Sequence, residues 1–167
     1  FGLAHLVGET LDSIVAQRFE NWEAIVVDDG APDDVAGAVA RFGHDRRIRL
    51  LQTENAGLPA ARNRAIAEAR GEYIALLDGD DLYEPDYLAR MTTVIAADPA
   101  LGFVTCDATY FGASRVGERF SAHIAQSDPI SLERLLRRDF NVFIASLIRR
   151  SAIDAVGGFD PSLRSAE

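Results

Sequence analysis

Gly71–Pro85 reads GEYIALLDGDDLYEP, and the fold turns on how this stretch is read. Tyr73 to Leu77 has the length and apolar continuity of a strand buried on both faces. Three carboxylates, Asp78, Asp80 and Asp81, therefore fall where the chain leaves a sheet. Carboxylates this crowded repel one another unless a cation sits among them. In an open α/β sheet, ligands bind at the carboxyl ends of the strands, and these hard oxygens suit Mg²⁺ or Mn²⁺ carrying a phosphorylated substrate. A calcium loop does not fit: counting from Asp78, the sixth position is Tyr83 where glycine is needed and the twelfth is Ala89 where glutamate is needed.

Composition narrows the possibilities. With 167 residues, 48% of them hydrophobic, the chain supports one core and one domain. No stretch has the apolar length of a membrane span, and the first residues lack the pattern of a signal peptide. A net charge of -9 and a pI near 4.8 argue against nucleic acid bound through a broad basic face. A phosphorylated small molecule, held by a metal and a few arginines, remains compatible with that charge. All 17 basic residues are arginine. This removes a P-loop lysine, a Schiff-base lysine and the lysine of a response-regulator acid pocket. Cys106 has no disulfide partner, and His5, His44 and His123 form no zinc signature, so a reducing, cytoplasmic setting fits best.

Outward from the acidic stretch, the pattern alternates. Val7, Leu11, Ile14, Val15 and Arg18 predict a helix over Gly8–Arg18, with no strand before it; the expectation is that the natural chain begins further upstream. Glu23 to Val27 reads as a strand that also ends in acid, Asp28 and Asp29, before Gly30. Asp34 is placed to cap a helix, Ile48 to Leu51 is a third strand, and Gly57-Leu58-Pro59 opens a helix that runs to about Arg70. Strand, helix, strand, helix, strand argues for parallel pairing, which would bring Asp28 and Asp29 to the same sheet edge as Asp78 to Asp81. Beyond it, Pro85 starts another helix, Phe103 to Phe111 and Asn141 to Ile148 read as strands, Ser131 to Arg138 as a short helix, and Gly112 to Asp128 as a loop over an acceptor side, with His123 a weak candidate for contact there.

Four segments resemble, in order, the motifs of family 2 glycosyltransferases: AIVVDDGAPDD at Ala24 to Asp34, NAGLPAARNRA at Asn55 to Ala65, LLDGDD at Leu76 to Asp81 and VGGFDPSL at Val156 to Leu163. The resemblance implies the GT-A fold, a Rossmann-like α/β sandwich whose mostly parallel central sheet is flanked by helices. It also implies transfer, with inversion, of a sugar from a nucleotide-diphosphate donor, a UDP-sugar above all, to a hydroxyl of a saccharide or lipid-linked acceptor. On that implication Asp28 and Asp29 meet the nucleotide base, Arg62 lies against the base or the diphosphate, Asp78 is near the ribose, Asp80 is on Mg²⁺ or Mn²⁺, and Asp81 is a supporting acid. Polysaccharide or cell-wall synthesis in a bacterium, at the inner face of the membrane and anchored by parts outside this chain, would be the setting. In similar enzymes the base that deprotonates the acceptor is an aspartate just after a glutamate; if Glu167 matches that glutamate, the base lies one residue further on. The expectation is then a single domain truncated at both ends and weakly active by itself.

The residues also admit plainer readings. Asp28-Asp29-Gly30 alone could be only a strand exit and turn. Two other functions compete: a nucleotidyltransferase, which would want a glycine-rich basic loop and a lysine, and a non-catalytic transferase-like module that binds sugar or a partner protein.

Overall fold

The computed structural model describes residues 2–112, 114–123, 133, 137 and 145–163. In chain order the elements are α1 (Ala4–Val15), β1 (Ala24–Asp29), α2 (Val35–Ala40), β2 (Ile48–Thr53), α3 (Leu58–Glu68), β3 (Tyr73–Ala75), α4 (Tyr87–Ala97), β4 (Phe103–Thr105), β5 (Ser146–Arg149) and α5 (Arg150–Val156). The helix expected over Ser131–Arg138 lies outside the described residues except for Glu133 and Arg137.

From α1 to β2 the order of elements follows the sequence pattern, with α1 beginning four residues and ending three residues earlier than expected; the last strand of the expected parallel set, β3, pairs antiparallel in a second sheet. Val7 and Leu11, one turn apart on α1, pack on Val35, Val39 and Phe42. Asp34 caps α2 by accepting the Gly37 N–H at 2.8 Å. With α2 as the crossover, β1 and β2 pair in parallel from Ala24↔Ile48 to Asp29↔Thr53. Both strands run two residues further than the sequence patterns predict, so Asp28 and Asp29 belong to the ladder itself.

The second sheet is ordered β3-β5-β4, with β5 antiparallel to both neighbours. Only Tyr73–Ala75 of the expected strand enters it, because the ladder with β5 ends at Ala75↔Leu147. The freed carbonyl of Leu76 accepts instead from the Tyr83 hydroxyl at 2.7 Å. Phe103 to Phe111 is likewise shorter than expected. After Thr105 the chain turns into a hairpin-like excursion, in which Asp107 accepts from the Ser121 hydroxyl at 2.7 Å and Thr109 bridges Arg119. Part of the predicted loop is therefore held in place by polar side chains.

Between the two sheets, the facing edges of β1 and β3 carry no strand partner among the described residues. A cavity of about 1330 Å³ lies there. Every residue of 23–29 and of 69–79 lines it, both faces of each strand alike, so it opens on strand edges. Residues of α1, α3 and α4 form much of the rest of its walls.

The segment following the acidic cluster is tied to the end of α1. Ser13 Oγ accepts the Tyr83 N–H at 3.1 Å; buried Gln17 donates to the Glu84 carbonyl at 2.8 Å and accepts the Leu88 N–H at 3.0 Å. The sequence pattern placed Arg18 on the inward stripe. The structure places Gln17 there, while Arg18 turns to solvent and pairs with Asp86 at 2.8 Å. Tyr83 and Tyr87 then stack at 3.8 Å in the core with Met91, Ile95 and Leu147.

Replacing Gln17 by leucine leaves the Leu88 N–H and Glu84 carbonyl without their partner; urea unfolding should show a loss of about 1–3 kcal/mol. A second outcome concerns pH. Burial pushes the Glu23 carboxyl up, but the Arg70 backbone N–H at 2.6 Å and the Arg49 guanidinium at 3.1 Å outweigh it and leave the group below its ordinary value. A depressed carboxylate stabilises above its unfolded-state pKa and loses that effect as pH falls through the folded value. Melting temperatures of the wild type and Glu23→Gln should therefore differ at neutral pH and converge below roughly pH 4.

Candidate functional site

The end of β1 is built around its two carboxylates. Asp28 is only 9% exposed and accepts the Ala31 N–H at 3.0 Å and the Gln52 amide at 3.3 Å. That turn passes through Gly30 at φ +66°, where a Cβ would meet the Asn55 backbone nitrogen at 3.0 Å, so glycine is required. Asp29 accepts from the Thr53 hydroxyl at 3.1 Å and from the backbone N–H groups of Ala56 and Gly57 at 3.0 and 2.8 Å. It thereby anchors the entry to α3, where a negative charge also complements the helix dipole. The pair closes the strand and the turn begins only at Gly30, and both carboxyl residues line one cavity.

From this anchored start, α3 carries Arg62 across to the other acidic tip. Arg62 Nη2 lies 3.0 Å from Asp78 Oδ1, and the guanidinium carbon is 5.6 Å from the centre of the Phe159 ring. Asp28, Asp29, Arg62 and Asp78 line this cavity together. Both acidic segments thus line one cavity, and α3 contacts each of them.

Asp80 and Asp81 follow Asp78 in the turn. Asp80 is exposed and makes no hydrogen bond or ion pair with another described residue. Asp81 is half-buried, and its carboxyl is pushed above its ordinary value first by burial and then by the charges of Asp80 and Asp78. The carboxylates are therefore close enough to feel one another.

Among the described residues no three histidine, cysteine or carboxylate groups converge into a preformed metal cage. One Asp78 oxygen is engaged by Arg62, and the Asp80 oxygens bond no other described residue. This donor set suits a hard cation that brings phosphate and water oxygens with it, as Mg²⁺ and Mn²⁺ do, and does not suit zinc.

The structure also adds residues that sequence reading did not single out. Tyr83 supports the exit from β3 through Leu76, and Gln17 fixes the segment beyond; a polar residue three positions after Ile14, on the apolar stripe, was the signal for the latter. Asn63 bonds the backbone of Phe159 and lies inside NAGLPAARNRA, beside Arg62. His123, the weak acceptor-side candidate, sits in the hairpin 2.7 Å from Glu118 and does not line the cavity.

Comparison with known proteins accords with this arrangement. The chain is 38% identical over 84 residues to UDP-Glc:alpha-D-GlcNAc-diphosphoundecaprenol beta-1,3-glucosyltransferase WfgD of Escherichia coli, covering 50% of this chain and 33% of that protein. It spans between 11% and 33% of the length of the curated relatives it matches most strongly. Among solved structures, S. aureus TarS 1-349 in complex with UDP-GlcNAc superposes with a TM-score of 0.75 at 21% identity, covering all of this chain and 48% of that one. Mannosyltransferase PcManGT from Pyrobaculum calidifontis, in complex with GDP-Man and Mn²⁺, superposes with a TM-score of 0.69 at 23% identity, covering 96% of this chain and 45% of that one. At these identities the structures establish the fold, which is GT-A. The family model for glycosyl transferase family 2 matches residues 4–157, nearly the whole of the described chain, and this chain belongs to that family.

Proposed function

We propose that this chain carries the donor site of a metal-dependent, inverting glycosyltransferase that takes a nucleotide-diphosphate sugar, a UDP-sugar by preference. The observation that carries the reading is that Asp28, Asp29, Arg62 and Asp78 line one cavity, with exposed Asp80 two residues beyond Asp78 and outside that lining. Similar proteins suggest the class of donor: UDP-Glc for WfgD, UDP-GlcNAc for TarS, and GDP-Man with Mn²⁺ for PcManGT. A saccharide or lipid-linked acceptor, and a cytoplasmic setting at the inner membrane face, extend the same comparison. Among the described residues no helix is long and apolar enough to cross a membrane.

In this reading Asp28 and Asp29, each already aimed by backbone N–H groups, accept hydrogen bonds from the base and its surroundings. Asp78 meets the ribose, Arg62 lies against the diphosphate, and Asp80 holds Mg²⁺ or Mn²⁺. When bound, such a cation neutralises charge developing on the departing diphosphate. The acceptor oxygen forms its bond to the anomeric carbon as the bond from that carbon to the phosphate oxygen breaks. The electron pair leaves with the nucleoside diphosphate, and the acceptor's proton goes to a base not assigned to any described residue.

The competing readings separate on one variant. Calorimetry with UDP should show binding in Mn²⁺ that is lost in chelator, and Asp80→Asn should weaken it by at least roughly 10- to 100-fold, the loss typical even of the outer partners of a metal ligand. Equal binding of UDP by variant and wild type, or binding indifferent to chelator, would favour a transferase-like module without donor chemistry.

A further inference from the structure

We infer that Asn63 is a positioning residue for the donor site, acting through Phe159 on Arg62. This rests on the donor-site reading above and extends it to a residue 96 positions away in sequence from its partner. The side-chain amide of Asn63 grips the backbone of Phe159 at both ends: Nδ2 donates to the Phe159 carbonyl at 2.7 Å, and the Phe159 N–H donates to Oδ1 at 2.8 Å. Both functions of the amide are used, so neither the rotation of the side chain nor the path of the turn is free.

The turn is shaped to permit that grip. Gly157, at φ +79°, ends α5 in the left-handed conformation; Gly158, at φ +82°, brings the chain against Asn63. A Cβ on Gly158 would lie 2.7 Å from Asn63 Oδ1, so the approach needs glycine for space as well as for its backbone angle. Held this way, Phe159 packs beside Ile66, Ile74 and Ile153, and its ring lies 5.6 Å from the Arg62 guanidinium. Arg62 is mostly covered, with 15% of its side chain exposed, and its other contact is Asp78. A long side chain has many rotamers; an aromatic ring on one side and a carboxylate on the other leave few. Asn63 thus fixes the cation before the diphosphate arrives, which lowers the ordering cost of binding.

The test is a double-mutant cycle on the full chain, with UDP affinity measured by calorimetry in Mn²⁺ for wild type, Asn63→Ala, Phe159→Leu and the double variant. Each single change should weaken UDP by roughly three- to tenfold, the size of one lost cation–π contact or hydrogen bond. The double variant should be no weaker than the weaker single, because both act through the same ring. Phe159→Leu keeps the backbone clamp, so it carries the test if Asn63→Ala fails to fold. Losses that multiply in the double variant, or single variants with lowered melting temperature and unchanged UDP affinity, would overturn the inference and leave Asn63 a structural residue. No UDP binding by the wild type in Mn²⁺ would instead overturn the donor-site reading beneath it.

Discussion

Like charges at the carboxyl end of a short strand are the constraint to which the rest of this molecule responds. Two carboxylates about 4 Å apart, at an effective dielectric constant near 20, repel by about 4 kcal/mol. With Asp78, Asp80 and Asp81 packed into four residues, the chain spreads the cost three ways. Asp78 is given to Arg62 at 3.0 Å, Asp81 is half-buried and its carboxyl is held above its ordinary value, and Asp80 is left to solvent. What remains is one carboxylate paired with a guanidinium on the cavity wall and one left exposed just beyond it.

The helix that supplies the guanidinium is held in an unusual way. Ile66 is the single buried residue of α3, so apolar burial does little to fix it. Polar ties do the rest. Asp29 holds its entry, Asp78 meets Arg62 in its second turn, Asn63 is bonded to Phe159, Arg49 donates to the Glu68 carbonyl at 2.9 Å, and Arg150 donates to the Ile66 carbonyl at 3.2 Å. Hydrogen bonds are directional where apolar contacts are not, so they fix the rotation of the helix about its axis as well as its distance from the sheet. Rotation is what decides whether Arg62 faces the cavity.

Local chemistry made the first half of the fold legible. Apolar runs at Ala24 and Ile48, the Asp34 cap and the Gly57–Pro59 helix entry each announce themselves within a few residues, and the acidic strand ends followed directly from them. What escaped was written over long separations or in polar pairs. The Asn63–Phe159 bond spans 96 positions and leaves no periodicity. Asp107 and Ser121 close a hairpin through side chains that, read singly, look like those of a solvated loop. The length of β3 depended on where the ladder with β5 ends, and no property of Leu76 or Leu77 reveals that. Gln17 was missed for a different reason: a glutamine at a helix end reads as solvated until the backbone groups it satisfies are known.

The spacing of the two acidic strand ends follows from the same geometry. Among the described residues β1 and β3 share no ladder, and the cavity separates their edges. No backbone hydrogen bond therefore sets how far Asp28 and Asp29 stand from Asp78. Among the polar contacts, the connection that bridges them is α3, anchored to Asp29 at its entry and to Asp78 through Arg62. The helix thus ties the two acidic segments at fixed points, Asp29 at its entry and Asp78 through Arg62 in its second turn. The separation of the two acidic segments, in this arrangement, depends on the polar contacts that hold one weakly buried helix.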